Sequence, residues 1–228
     1  MKRSEINAAV RYAIQTLEDN NIRLPSFAYW TMDEWAGHRA ETAGLMDITL
    51  GWDITDFGSG DFDRTGSVLF TVRNGSLTDP GAGTPYAEKY ILQRHETEQE
   101  IPFHYHGTKT EDIINRGGGI LALELYNHTP DGGLDRDNAI SVKMDGIIKS
   151  LPAGSIVEVE KGNSITLTPG LYHRFWAKKG AGDLVVGEVS SINDDATDNV
   201  FLNAIRFSVI EEDEPAAVPL VNEYCKYR

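Results

Sequence analysis

Apolar side chains at Ile6, Ala9, Val10, Ala13, Ile14 and Leu17 recur at helical spacing, and Ser4 is a residue type that caps helices. The chain is therefore expected to open with an amphipathic helix whose apolar stripe needs a partner surface. A second short helix is expected from Thr31, with Glu34 reaching back in a capping box. Residues up to about Gly44 read as a helical extension packed on the rest of the chain or on another subunit. From Asp47 the period changes. β-Branched and aromatic residues cluster at 48–55, 67–73, 89–94, 101–106, 110–115, 120–127, 139–144, 147–150, 156–159, 164–168, 172–176 and 184–190. Between them lie turn formers: Gly58-Ser59-Gly60-Asp61, Gly117-Gly118-Gly119, and Asp145-Gly146, a type I′ hairpin signal. Short strands at such close intervals predict a mostly β sandwich or barrel. No linker, repeat or low-complexity segment divides it, so residues 1–228 are expected to form a single domain with 1–44 as its helical extension.

Composition narrows the class of partner. At 228 residues and 40% hydrophobic content the chain can bury a sizeable core, and its formal net charge of −14 argues against nucleic acid or an anionic membrane surface as a partner. The single cysteine, Cys225, cannot form an internal disulfide, which suits a reducing cytoplasm. No apolar run has the length needed to cross a bilayer. Asn74-Gly75-Ser76 and Asn127-His128-Thr129 match glycosylation sequons but, without a secretion signal, read as turns.

The candidate chemistry centres on Ile101-Pro102-Phe103-His104-Tyr105-His106. Residues two apart on a strand share a face, so His104 and His106 converge while Tyr105 points away. If Gly107-Thr108 turns the chain back, Glu111 can add an oxygen, and His173 after the Pro169-Gly170 turn can close the set. Three nitrogens and one carboxylate suit a divalent first-row ion with open positions for substrate oxygens. Taken alone, two nearby histidines can equally be ordinary polar residues of a strand face. Strand alternation also puts Lys109 on the face of Glu111, and Glu188 on the face of Val186 and Ser190. Glu188, in a valine-rich run, is either a salt-bridged structural carboxylate or a proton carrier. Arg206 and Lys89 are candidates for binding a substrate hydroxyl, although Arg206 can equally pair with the acidic tail. Arg174 should face away from the site, and His38, His95 and His128 have no companion at ligand spacing.

Two motifs in the right order resemble the cupin superfamily. The first is His104-Tyr105-His106, four residues, Glu111, six residues, Gly118; the second runs from Gly162 to Pro169-Gly170-Leu171-Tyr172-His173, with the proline one place closer to the following glycine than usual. The surrounding words are similar to those of the D-lyxose ketol-isomerases, a cupin family: Tyr86 through Arg94, Glu111 through Gly119, Gly187-Glu188-Val189-Ser190, and the tail at Glu211-Glu212-Asp213-Glu214-Pro215. That resemblance implies a cupin-type jelly-roll barrel with its motif-bearing core at 87–191. It implies a manganese-dependent aldose–ketose isomerase that interconverts D-lyxose and D-xylulose, and D-mannose and D-fructose. His104, His106, Glu111 and His173 would hold the metal, with Glu188 as first choice for the base and Lys109 assisting or exchanging roles with it. Proton transfer through a cis-enediol is expected, with a hydride shift as its competitor. Two other classes stay open on the same ligand set: a dioxygenase, and a sugar sensor without turnover. Exposed barrel edges and the N-terminal helix suggest a homodimer.

Overall fold

The computed structural model describes residues 1–195, 197–206 and 209–227. Helix α1 (Arg3–Asp19) is followed by a short 3₁₀ turn (Ser26–Tyr29), then α2 (Met32–Gly37) and α3 (Arg39–Asp47). Thr31 caps α2 as expected, its Oγ1 accepting from the Glu34 N–H at 3.3 Å while its own N–H donates to Glu34 at 2.9 Å. Ser4 is not the cap of α1. Lys2 occupies that position and donates its N–H to Glu5 at 2.7 Å, while Ser4 sits in the first turn and donates N–H and Oγ–H to Asp213 at 2.9 and 2.6 Å. A carboxylate from the far end of the chain satisfies a helix N-terminus that local sequence alone would have given to serine.

Fourteen strands follow among the described residues: β1 (Gly51–Thr55), β2 (Ser67–Gly75), β3 (Gly83–Gln93), β4 (Glu100–His106), β5 (Glu111–Gly118), β6 (Leu121–His128), β7 (Leu134–Asp135), β8 (Ile140–Met144), β9 (Ile147–Leu151), β10 (Ser155–Val159), β11 (Ser164–Leu167), β12 (Leu171–Ala177), β13 (Leu184–Ser191) and β14 (Asn199–Phe201). They form an eight-stranded sheet, β1-β2-β3-β13-β5-β11-β8-β9, and a six-stranded sheet of five strands in the order β10-β6-β12-β4-β14 with β7 paired to β6. The two curled sheets make the mostly β cupin-type barrel. The β8–β9 hairpin turns on Asp145 and Gly146, both at positive φ, as a type I′ turn requires. Gly118 is fixed by space as well as by φ (+76°), since a Cβ there would meet the Asp183 carbonyl oxygen at 1.8 Å.

Strand alternation sorts the eight-stranded sheet into two cores. Trp52 and Ile54 of β1, Val68 and Phe70 of β2, Leu92 of β3 and Val185 of β13 pack under Ile6, Ala9, Val10, Ala13 and Leu17 of α1. The other face turns toward the second sheet and joins Ile91, Ile113, Ile165 and Val186 to Leu123, Leu125, Val157 and Phe175. Helix α1 thus seals the outside of the sheet whose inner face carries the polar site.

The acidic tail closes back on the first turn of α1. Arg3, 1% exposed, donates to Glu212 at 2.8 and 2.7 Å and to Glu223 at 2.8 Å through both guanidinium nitrogens. Removing the cation leaves the Glu223 carboxylate buried without its main counter-charge. Arg3→Ala is therefore expected to cost about 3 kcal/mol of unfolding free energy, read by urea denaturation. Burial alone would raise the Glu223 carboxyl, but Arg3 and Lys226 hold it below the usual range. Its contribution should be complete above about pH 5 and fade as pH falls through the lowered folded value, and Arg3→Ala should flatten that acid limb.

Candidate metal centre and catalytic cavity

The three imidazoles come from adjacent strands of the six-stranded sheet. His104 and His106 lie two apart on β4, and His173 on β12 is the direct cross-strand partner of His104. The link between the two motifs is a backbone bond, the Gly170 N–H donating to the His106 carbonyl at 2.9 Å. The shifted proline therefore leaves His173 in place. Ring centroids are 5.2 Å apart for His104 and His106 and 4.1 Å apart for His104 and His173.

Their tautomers follow from the backbone. His104 Nδ1 lies 2.8 Å from the Pro102 carbonyl and His173 Nδ1 lies 3.0 Å from the Leu171 carbonyl. A carbonyl only accepts, so each Nδ1 carries a proton, and in the neutral ring Nε2 is left with the lone pair. Nε2 of His106 and of His173 are buried and lack a hydrogen-bond partner. Burial, then the neighbouring imidazoles, hold the His104 ring well below its ordinary pKa, which keeps it neutral. One ligand atom from each of the three rings lies within 4.8 Å of the others. Buried imidazoles with ring nitrogens turned to a common centre are what a divalent cation requires.

Glu111 enters from the opposite sheet at the first residue of β5. Its Oε1 lies 3.2 Å from Nε2 of both His106 and His173, and its Oε2 lies 3.0 Å from the Lys109 ammonium. Burial acts to raise this carboxyl, yet the Lys109 ammonium leads the interactions that hold it well below the carboxylate range, so it is ionised. The structure therefore brings His104, His106, Glu111 and His173 together.

Lys109 and Glu188 lie beside this group. Lys109, 4% exposed, donates to Glu188 Oε1 at 2.9 Å and to Asn193 Oδ1 at 3.2 Å. Burial works against its charge, but Glu111, Glu188 and Asp195 raise its pKa above that of a free lysine. Lys109 precedes β5 rather than lying within it, so strand alternation is not what aims it. Asp198 does that, taking the Thr108 N–H and Oγ–H at 2.7 Å and the Lys109 N–H at 3.1 Å. Glu188 sits on β13 facing inward with Val186 and Ser190, as alternation predicted, and is the cross-strand partner of Lys89. Its Oε1 also accepts from Ser190 Oγ at 3.1 Å. Both short contacts fall on Oε1, so Oε2 is the oxygen left to the cavity.

Lys89, 2% exposed, reaches Asn193 at 2.7 Å, Asp195 at 3.2 Å and Glu188 at 3.7 Å. Burial would raise the Asp195 carboxyl, but the two lysines hold it below the carboxylate range. Arg206 is not brought to this site. Its amide is tied to the Phe57 carbonyl at 3.3 Å, its side chain is exposed, and Ile205 lines the cavity instead. The partner expected for Arg206 in the acidic tail is in fact taken by Arg3. Arg174 is structural, paired with Glu100 and Glu124 at 2.7 and 2.6 Å. His38 stacks on Trp30, His95 accepts from the Gly180 amide, and His128 stacks on Tyr105. Sequence reasoning missed Asn193, Asp195 and Asp198; all three follow β13 in a polar loop whose side chains have no periodicity to place them.

Two curled sheets enclosing three convergent imidazoles, a carboxylate and a lysine–glutamate pair define a cupin-type barrel with a metal-binding group. A family model described as D-lyxose isomerase matches residues 1–224, and the chain belongs to that family of aldose–ketose sugar isomerases. Among curated relatives, the D-lyxose/D-mannose isomerase of Escherichia coli O157:H7 is 44% identical over 232 residues, covering 100% of both chains. That of Serratia proteamaculans is 43% identical, covering 100% of this chain and 99% of its own. Among solved structures, the L-ribose isomerase of Acinetobacter sp. DL28 in complex with L-ribose superimposes with a TM-score of 0.57 at 16% identity, over 89% of this chain and 93% of that one. At that identity the likeness speaks to fold alone. Membership of an isomerase family removes the ground for the dioxygenase and sensor readings. Among the described residues, no helix is long and apolar enough to cross a membrane.

Proposed function

We propose that the protein interconverts D-lyxose and D-xylulose, and D-mannose and D-fructose, with manganese held by His104, His106, Glu111 and His173. The observation that carries this reading is the buried Lys109–Glu188 pair, 2.9 Å apart, in one cavity with His104, His106 and Glu111, against which His173 lies at 3.2 Å. A divalent cation there supplies Lewis-acid polarisation of the sugar carbonyl and compensates the negative charge of an enediolate.

The chain's own residues supply the rest. Glu188 Oε2 takes the proton from C2 of the open-chain aldose, the C2–H electron pair becomes the C1–C2 double bond, and O1 gains the charge. The C2 hydroxyl proton moves to O1, and the same carboxyl, having exchanged with solvent, then protonates C1, which leaves the carbonyl at C2 and a hydroxyl at C1. Lys109, kept cationic by its three carboxylate neighbours, donates to a sugar oxygen and steadies the charge on it. This assigns the base to Glu188 and the donor to Lys109. Lys89 holds Glu188 from the other side and fixes the Asn193–Asp195 loop against the cavity.

The manganese-loaded protein, incubated anaerobically with D-lyxose and with D-mannose in deuterium oxide, should yield D-xylulose and D-fructose by NMR, with deuterium at C1 of the ketose. Metal-stripped protein should yield neither. Ketose without deuterium would count against a carboxyl-carried proton that exchanges with solvent and in favour of a hydride shift, and the absence of ketose from both sugars would refute the substrate assignment. Two further expectations belong to this reading. The lone Cys225 fits a cytoplasmic enzyme. The edge strand β9, with Ile147 and Ile148 65% and 69% exposed, fits a homodimer, checked by light scattering.

A further inference from the structure

Helix packing on the outside of β1 determines what its other face does. Trp52 and Ile54 pack under α1, so Asp53 and Thr55 point into the cavity that holds the histidines. In the strand order β1-β2-β3-β13-β5, Asp53 on β1 and Glu111 on β5 stand at opposite ends of one wall, with Lys89 and Glu188 between them. The cross-strand partner of Asp53 is Leu69, that of Thr55 is Ser67, and Ile91 lies beyond Leu69. The curl of the sheet brings Asp53 within electrostatic reach of Lys89, which stabilises its charge.

Two polar groups at this end of the wall are unspent. Every other carboxylate lining the cavity holds a lysine: Glu111 and Glu188 hold Lys109, and Asp195 holds Lys89. Among the described residues no side chain donates to Asp53. Its carboxyl is pushed up to about 6, first by burial and then by the charge of Asp195. Ser67, 0% exposed, also lines the cavity, and its Oγ has no hydrogen-bond partner. A buried hydroxyl without a partner, and a desolvated carboxylate that among the described residues takes a hydrogen bond from the Ile54 amide but from no side chain, both cost stability. A ligand that donates to one and accepts from the other removes that cost.

An open-chain aldose has this character. With its carbonyl and adjacent hydroxyl at the histidines, its remaining hydroxyls extend away from the metal end. We propose that Asp53 and Ser67 form the subsite that binds the hydroxyls of the sugar farthest from its carbonyl. This deepens the isomerase reading and rests on it for the orientation of the sugar. Asp53 accepts from a distal hydroxyl and Ser67 donates to one, so the pair acts in holding the substrate and takes no part in moving the C2 proton.

The test compares wild type, Asp53→Asn and Ser67→Ala with D-lyxose, with 5-deoxy- and 4-deoxy-D-lyxose, and with the unreactive alditol of D-lyxose. Loss of a hydrogen bond to a charged group should raise KM for D-lyxose in Asp53→Asn by roughly tenfold to a hundredfold, with kcat within about threefold. Ser67→Ala should raise KM by about three- to tenfold. One of the deoxy sugars should bind wild type as poorly as D-lyxose binds Asp53→Asn, and that variant should no longer distinguish it from D-lyxose. Calorimetric Kd values for the alditol should rise in parallel. Those values do not depend on turnover, so they judge the subsite even if wild type failed to isomerise D-lyxose, a result that would count against the substrate assignment alone. Unchanged KM and Kd in both variants would overturn the subsite, as would an equal loss for D-lyxose and both deoxy analogues. If Asp53→Asn did not fold, Ser67→Ala with the same analogues would decide by the same criteria.

Discussion

Glu188→Gln is expected to lower kcat by about 10³-fold while manganese content and melting temperature stay at wild-type values. The substitution is nearly isosteric, and the amide oxygen can still accept from Lys109 and Ser190, which hold Glu188 Oε1 at 2.9 and 3.1 Å. What it removes is the carboxylate oxygen to which the proposed mechanism gives the proton in transit between C2 and C1. Deuterium wash-in should fall by the same factor, because exchange and isomerisation share the step. A kcat within about threefold of wild type would move the proton to another group. A fall in kcat accompanied by loss of metal would mean that Glu188 organises the site rather than acting in it.

His173→Ala should abolish activity by a different route. The ring is 1% exposed, its Nδ1–H is committed to the Leu171 carbonyl, and its Nε2 is one of the lone pairs facing the common centre. Without it two imidazoles and Glu111 remain, and the alanine leaves a hole beside them. After dialysis, wild type should keep about one manganese per chain and the variant less than about a tenth, by elemental analysis. Wild type should also gain about 4 kcal/mol of stability at a metal concentration a thousandfold above Kd, and the variant should gain almost none. The second readout separates lost binding from lost folding, because it compares each protein with itself. A His173→Ala protein that retains metal and is stabilised by it would remove His173 from the ligand set.

Local pattern carried much of this site. His104 and His106 share a face because a strand has period two, and Glu188 points inward with Val186 for the same reason. The Asp145-Gly146 hairpin and the Thr31 cap were legible because their geometry is set within four residues. The remainder depends on contacts distant in sequence, which no short window contains. Lys109 faces the cavity because Asp198, 89 residues further on, holds its backbone. The cap at Ser4 was misread because Asp213, 209 residues away, reaches the same helix end. Asp53 gave no signal, since an aspartate in a strand reads as solvent-facing until α1 is known to cover the other side. Arg206 lies outside the cavity because its amide is tied to the carbonyl of Phe57, far earlier in the chain.

Everything proposed for the chemistry presupposes that one cation sits among residues 104, 106, 111 and 173. Crystals grown with manganese and measured at its absorption edge address this directly. A single strong anomalous peak within coordination distance of the three Nε2 atoms and a Glu111 oxygen is the expected result. No peak there, or a peak held by other side chains, would contradict it.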